Sequence, residues 1–442
     1  MSRSPAPRRS KTGPQPRRIA FEAIRSVSDR DAYANLVLPS LLNEAGLAGR
    51  DAALATELAY GTLRTRGTLD AILAAASGRD LATLDPALVD LLRLGAYQLL
   101  YTRIKDHAAV ATTVSLAKGQ VNPRISGLVN AVLRKVAQRD LIRWVEQLAP
   151  DSPRAALALR HAHPEWIIQA FAEALPESID NEHELTACLE ANNQAPHVHL
   201  CARPNRMSRS DLAAQTGGHP GELSPYAVHL TGGDPGKVAA VAAHAAHVQD
   251  EGSQWAALAL VDAPLDGTDT NWVDLCAGPG GKASLLGAIA DQRQAQVDAV
   301  EISAHRAQLV RSTAKGLPVH VHQADGREFS TDRSADRVLI DAPCSGLGAL
   351  RRRPEARWRK QPSDLAELNS LQRELLEAGI GLARTGGVIA YVTCSPVKAE
   401  THDIVDAAVR DNPVELIAPP QQLWPHRDST DAMFIALLRK TG

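Results

Sequence analysis

The chain has 442 residues, 44% hydrophobic and 22% charged but only 4% aromatic, the composition of a soluble globular protein without extended stacking platforms. That length exceeds the size at which one hydrophobic core stops growing, so two or three domains are expected. Lys plus Arg total 48 against 50 Asp plus Glu, a net charge of −2, which excludes a simple basic nucleic-acid coat and leaves any such affinity to local patches.

In chain order, residues 1–18 carry Arg3, Arg8, Arg9, Lys11, Arg17 and Arg18 and no acid, interleaved with Pro and Ser, and are expected to form a disordered basic arm. No apolar run approaches the roughly 18 residues that span a bilayer, and no apolar secretory segment follows the first methionine, so a cytoplasmic protein without membrane contact is expected. The five cysteines, Cys188, Cys201, Cys276, Cys344 and Cys394, are odd in number and lack CxxC pairs, which fits a reducing compartment and predicts neither a disulfide framework nor a metal site. Residues 19–150 read as an all-α domain: Leu88, Leu91, Leu92, Gly95 and Leu99, and then Leu128, Val129, Val132, Leu133 and Val136, recur at helical spacing. Asp85-Pro86 is a helix start signal, and Pro150 to Pro153 punctuates the chain.

Residues 154–245 read as a small mixed α/β segment, with helices over 165–175 and 182–191 and a strand around Val198 and Leu200. From 246 to 442, apolar runs at 272–275, 297–300, 319–321, 338–340 and 388–392 each precede a turn, and most precede a helix. Such alternation predicts a doubly wound, Rossmann-like parallel sheet covered on both faces, with ligands beyond the carboxyl ends of its strands. The glycine-rich turn Cys276-Ala277-Gly278-Pro279-Gly280-Gly281-Lys282 follows the first of these strands. It fits neither GxGxxG nor the phosphate loop ending in GK[ST], and by itself it could be a structural turn or another nucleotide site. With Glu301 ending the next strand, spaced to hold ribose hydroxyls, and Asp325-Gly326 ending a third, placed for an adenine, the cofactor expected is S-adenosylmethionine.

Two further strand ends carry cysteines, in Asp341-Ala342-Pro343-Cys344 and Thr393-Cys394-Ser395. A free cysteine is most often a small buried hydrophobe. Paired thiols, however, suit methylation of C5 of a cytosine, a poor nucleophile that becomes reactive when a thiolate adds to C6 and a second group later strips the C5 proton. These motifs resemble the bacterial small-subunit (16S) rRNA cytosine-5 methyltransferases of the Sun/Fmu type. Arg352-Arg353-Pro354, Trp358, His163-Pro164-Glu165-Trp166, Ala191-Asn192-Asn193 with Pro196, and Val248-Gln249-Asp250 with Gln254 also carry the resemblance. Tyr60-Gly61-Thr62-Leu63-Arg64 and residues 128–134 look like the NusB-type helical RNA-binding domain of that subfamily.

By matching motif, the resemblance implies that Cys394 is the nucleophile, that Cys344 assists breakdown of the adduct, and that Asp341 protonates or hydrogen-bonds N3 of the ring. Lys282 is expected near the site, where a cation favours a thiolate. The implied substrate is 16S rRNA, free or unassembled, acted on by a monomer. Between Arg351 and Lys360, RRRPEARWRK holds six basic residues and one acid, and Arg351, Arg352, Arg353, Arg357, Arg359 and Lys360 are expected to meet phosphates unless the run is simply a solvated helix face. Two departures from the family pattern stand out. Pro396-Val397-Lys398-Ala399-Glu400 replaces the usual Pro-Glu-Glu-Asn, and Asp431-Ala432-Met433-Phe434 replaces Asp-Gly-Phe-Phe. Three other readings stay open: the same chemistry on tRNA or large-subunit rRNA, a non-catalytic RNA-binding factor, and a protein or small-molecule methyltransferase, which has no need of paired thiols.

Overall fold

The computed structural model describes residues 15–176 and 181–442, which divide into two compact units. The first comprises the described chain through Ile168 together with Arg352–Arg359, and the second Gln169–Arg351 with Lys360–Gly442. The first unit therefore runs past the proline-rich boundary at 150–153 and takes in residues 154–168 of the expected mixed segment, and the rest of that segment belongs to the second. No helix among the described residues is long and apolar enough to cross a membrane.

The first unit is helical. Most of the expected arm, residues 1–14, lies outside the described residues, but its last part is a correction: Gln15–Arg30 is a helix, and Arg17, 9% exposed, donates from Nε to Gln98 Oε1 at 2.6 Å. Asp85 caps helix Pro86–Tyr101 by accepting from the amides of Ala87 and Leu88, and Pro86 opens it where no amide donor is needed. Leu88, Leu91 and Leu92 of that helix are buried with Val129, Val132, Leu133 and Val136 of helix Ser126–Val136. Gly95 lets the two helices approach, since a Cβ there would stand 2.6 Å from a methyl of Leu133.

In the second unit, β1 (His199–Ala202), β2 (His219–Pro220), β3 (Ala227–His229) and β4 (Ala246–Val248) form an antiparallel sheet in the order β2-β3-β1-β4. Buried Arg203 ties it to the larger fold by donating to Ser284 Oγ at 2.9 Å and to the Thr313 carbonyl at 2.7 Å. The Val248-Gln249-Asp250 motif serves the same join: Asp250 caps helix Glu251–Asp262, and the Gln254 amide donates to the Leu200 and Gln249 carbonyls.

The larger sheet contains β5 (Asn271–Asp274), β6 (Gln296–Val300), β7 (Val319–His322), β8 (Ala335–Asp341), β9 (Ala383–Thr393), β10 (Val414–Leu416), β11 (Gln421–Gln422) and β12 (Phe434–Lys440). Its order is β10-β12-β9-β8-β5-β6-β7, with β11 on β12. Strands β5 to β9 are parallel, as the alternation predicts, whereas β12 runs antiparallel to β9, so the sheet is mixed. Val388 to Val392 of β9 are fully buried because helices cover both faces, which is why the run reads as continuously apolar.

Candidate active site

All the expected cofactor residues sit at the carboxyl edge of the parallel strands. Cys276 to Gly280 leaves β5 and feeds helix Gly281–Arg293, with the Ala277 amide donating to the Val300 carbonyl at 2.9 Å. Gly278 and Gly280 are required by close approach. A Cβ at Gly278 would fall 2.0 Å from Glu301 Oε2, and Gly280, at φ +111°, has the Val310 backbone 3.0 Å from where a Cβ would be. Glu301, 4% exposed, accepts from the Ser303 amide at 2.8 Å and pairs with Arg306 at 2.9 Å, so its carboxylate is pinned against the turn. Asp325 lies beyond β7, and Gly326 beside it would place a Cβ 2.8 Å from the Leu275 carbonyl. The Arg327 guanidinium hydrogen-bonds Asp325 and holds its carboxyl below the usual range. A pinned carboxylate beside a side-chain-free turn is the shape a nucleoside with ribose hydroxyls needs, and these residues fit S-adenosylmethionine.

Sequence reading passed over Asp274, the last residue of β5. It is fully buried, and burial first, then the nearby Asp341 charge, push its carboxyl up to about 7. Lys282 at the start of the following helix pairs with Asp341 Oδ2 at 2.7 Å. For Lys282 the structure shows an ammonium engaged by the Asp341 carboxylate, which it holds in place.

Cys344 and Cys394, from the ends of β8 and β9, meet with their sulfurs 3.5 Å apart. The hydrogen bond to Cys394, then burial, push the Cys344 thiol well above its ordinary value. Cys344 is therefore held as a thiol beside its neighbour. The remaining cysteines stand elsewhere: Cys188 and Cys201 are buried, with burial raising their thiols, to about 12 for Cys188, and Cys276 stays in the cofactor turn.

The residues that follow the cysteines also join. Ser345 and Ser395 both donate to the buried Glu400 carboxylate, which the departure from the family pattern had hidden. At the second departure, the Ala432 amide donates to the Gly348 carbonyl and the Gly348 amide to the Cys394 carbonyl, each at 2.9 Å. The Asp431 amide donates to Asp250 Oδ1 at 3.2 Å. A Cβ at Gly348 would stand 2.2 Å from the Ala432 carbonyl, so a small residue is needed where these loops cross.

Part of the basic run is a correction. Arg357 is fully buried and donates to the carbonyls of Arg64 and Ala162, at 3.2 and 3.1 Å, which end helices Gly49–Arg64 and Pro153–His161. Exposed carbonyls at helix C-termini attract a guanidinium, so this arginine is a structural pin. Burial lowers it to about 9. Arg359 donates to the Val27 and Ala32 carbonyls, Trp358 donates from its indole to the Leu63 carbonyl at 2.9 Å, and Arg351 is only 7% exposed. Of the six, Arg353 is exposed, with its guanidinium over the Tyr33 ring, and Arg352 and Lys360 are half-buried.

Known proteins resemble this chain in sequence and in fold. Residues 259–439 match the family model described as 16S rRNA methyltransferase RsmB/F, and residues 14–138 match the NusB family. A Mycobacterium tuberculosis protein described as a "putative methyltransferase" is 53% identical over 99% of both chains. Ribosomal RNA small subunit methyltransferase B of Serratia proteamaculans is 34% identical over 96% of this chain and 98% of its own. The crystal structure of PH0851 shares the fold with a TM-score of 0.81 at 22% identity, covering 98% of this chain and 100% of that one.

Proposed function

Because the chain belongs to the 16S rRNA methyltransferase RsmB/F family, and is thus an S-adenosylmethionine-dependent rRNA methyltransferase, we propose that it methylates C5 of a cytosine in small-subunit rRNA through a transient Cys394–C6 bond. The observation that carries this reading is the meeting of two thiols, 3.5 Å apart, at the ends of β8 and β9, the two strands next in order to β5 and its cofactor turn. Cys394 adds to C6 while Asp341, taking a proton from the Lys282 ammonium that pairs with it, passes that proton to N3 and so neutralises the charge that builds on the ring. The cofactor supplies an electrophilic methyl group. Loss of the C5 proton to water then breaks the C6–S bond and restores the aromatic ring, with the Cys344 thiol, kept protonated, hydrogen-bonding the Cys394 sulfur as it leaves. Glu301 and Asp325 hold the nucleoside, and Gly278 and Gly280 make room for it.

The target base has to leave its stack to reach the thiols, so free or unassembled rRNA with an accessible loop is the expected substrate. Mapping 5-methylcytosine in total RNA before and after deletion of the gene tests the substrate. Loss of one small-subunit position supports the reading, whereas retention of every small-subunit mark with loss of a tRNA or large-subunit mark replaces the substrate.

A further inference from the structure

Fifty residues separate Cys344 from Cys394, and the two sulfurs sit on separate loops. Besides the Gly348 amide bond to the Cys394 carbonyl and a 3.1 Å contact between the Ser345 and Ser395 hydroxyls, one buried side chain ties those loops together. Glu400, in a short 3-10 turn, is fully buried, and its carboxylate accepts from the Ser345 amide at 2.6 Å, the Ser345 hydroxyl, the Ser395 hydroxyl at 2.6 Å and the Gln372 amide at 3.2 Å. Gln372 also donates to the Pro343 carbonyl at 2.9 Å, and the Tyr391 hydroxyl donates to the Glu400 carbonyl at 2.8 Å. Four donors fill the roughly four lone-pair sites that an ionised carboxylate offers. Charge-assisted bonds of this kind are short and directional, so they fix the loops rather than merely touch them.

We propose that Glu400 is a positioning residue for the two-thiol reaction: by holding Ser345 and Ser395 on one carboxylate, it sets the spacing of the Cys344 and Cys394 sulfurs and with it the balance between adduct formation and release. This inference rests on the function proposed above, but the spacing can be tested without RNA. A glutamine at 400 keeps the shape yet offers one acceptor oxygen and points N–H groups at donors, so the clamp opens.

The full-length chain and Glu400→Gln are treated with dibromobimane, which fluoresces on bridging two nearby thiols, with Cys344→Ala as the blank. The same proteins are assayed for methylation and cofactor binding. Loss of about one hydrogen bond to a charged group predicts bridging and kcat each about tenfold lower, with KM for RNA and cofactor affinity within twofold. Bridging and kcat both within twofold of wild type overturn the proposal, as does a loss of cofactor binding in step with kcat, which marks a general fold residue. Slower bridging with unchanged methylation leaves the clamp but sinks its role in the reaction, and points to failure of the two-thiol reading itself. Should Glu400→Gln be insoluble, Ser395→Ala removes one arm of the clamp, and bridging no slower than wild type in that variant overturns the proposal equally.

Discussion

Replacing Gly278 by alanine adds one methyl group to the cofactor turn. That carbon would lie 2.0 Å from Glu301 Oε2, 2.8 Å from the carboxyl carbon and 3.0 Å from Arg306 Cβ. An ordinary contact is about 3.4 Å or longer, so the carboxylate must retreat by roughly 1.4 Å. It cannot do so and keep its bonds to the Ser303 amide and Arg306. The Arg306 pair is half exposed and contributes about 1 kcal/mol or less, so its loss is minor. The larger effect is on the ribose: a hydrogen bond to a charged group is worth about 1.5–3 kcal/mol, which predicts cofactor binding weaker by about 10- to 150-fold. Titration calorimetry with S-adenosylmethionine reads this directly, and thermal unfolding checks that the fold survives. If the methyl acts by displacing Glu301, then Gly278→Ala made on top of Glu301→Ala adds little. A dissociation constant within twofold of wild type, or costs that add in full in the double variant, refutes the reasoning.

The buried Asp274 makes a pH-dependent prediction. Its carboxyl titrates near 7 in the folded chain against 3.8 ordinarily, so between about 4 and 7 the native state holds a proton that the unfolded chain has lost. Stability from this group therefore falls as pH rises through that window and levels off above it. Asp274→Asn, always neutral, is expected to be more stable than wild type at pH 8 by about 2–4 kcal/mol, with the gap closing toward pH 4, as followed by denaturant unfolding at several pH values. A gap that does not change with pH contradicts this. Arg357→Ala leaves the Arg64 and Ala162 carbonyls without their guanidinium, and the expected cost is about 2–5 kcal/mol of stability. The salt dependence of RNA binding should stay as in wild type, because a buried arginine neutralises no phosphate. A normal melting temperature with a shallower salt slope returns Arg357 to the RNA surface.

Local signals were legible in the sequence. Asp85-Pro86 marks a helix start whatever surrounds it, and the turn from Cys276 to Gly281 announces a backbone that side chains cannot crowd. The parallel strands showed as apolar runs because both faces are covered. The direction of β12 did not show, since Phe434 to Lys440 reads the same whether its partner β9 runs alongside or against it. The charged run at 351–360 misled for a physical reason: the acceptors that bury Arg357 are helix-end carbonyls 293 and 195 residues away in the chain. Glu400 was hidden likewise, as its Ser345 partner is 55 residues distant. A signal was present, however: Cys344 and Cys394 are each followed by a serine, a repetition that packing alone does not require.

The central claim is most directly tested by exposing three forms of the full-length protein, wild type, Cys394→Ala and Cys344→Ala, to cofactor and substrate rRNA, and resolving covalent protein–RNA species on denaturing gels beside methyl incorporation. The account predicts that Cys394→Ala loses both the adduct and turnover, while Cys344→Ala slows release and accumulates the adduct. Undiminished methylation by Cys394→Ala contradicts it, and an adduct that persists in Cys394→Ala but vanishes in Cys344→Ala exchanges the two roles.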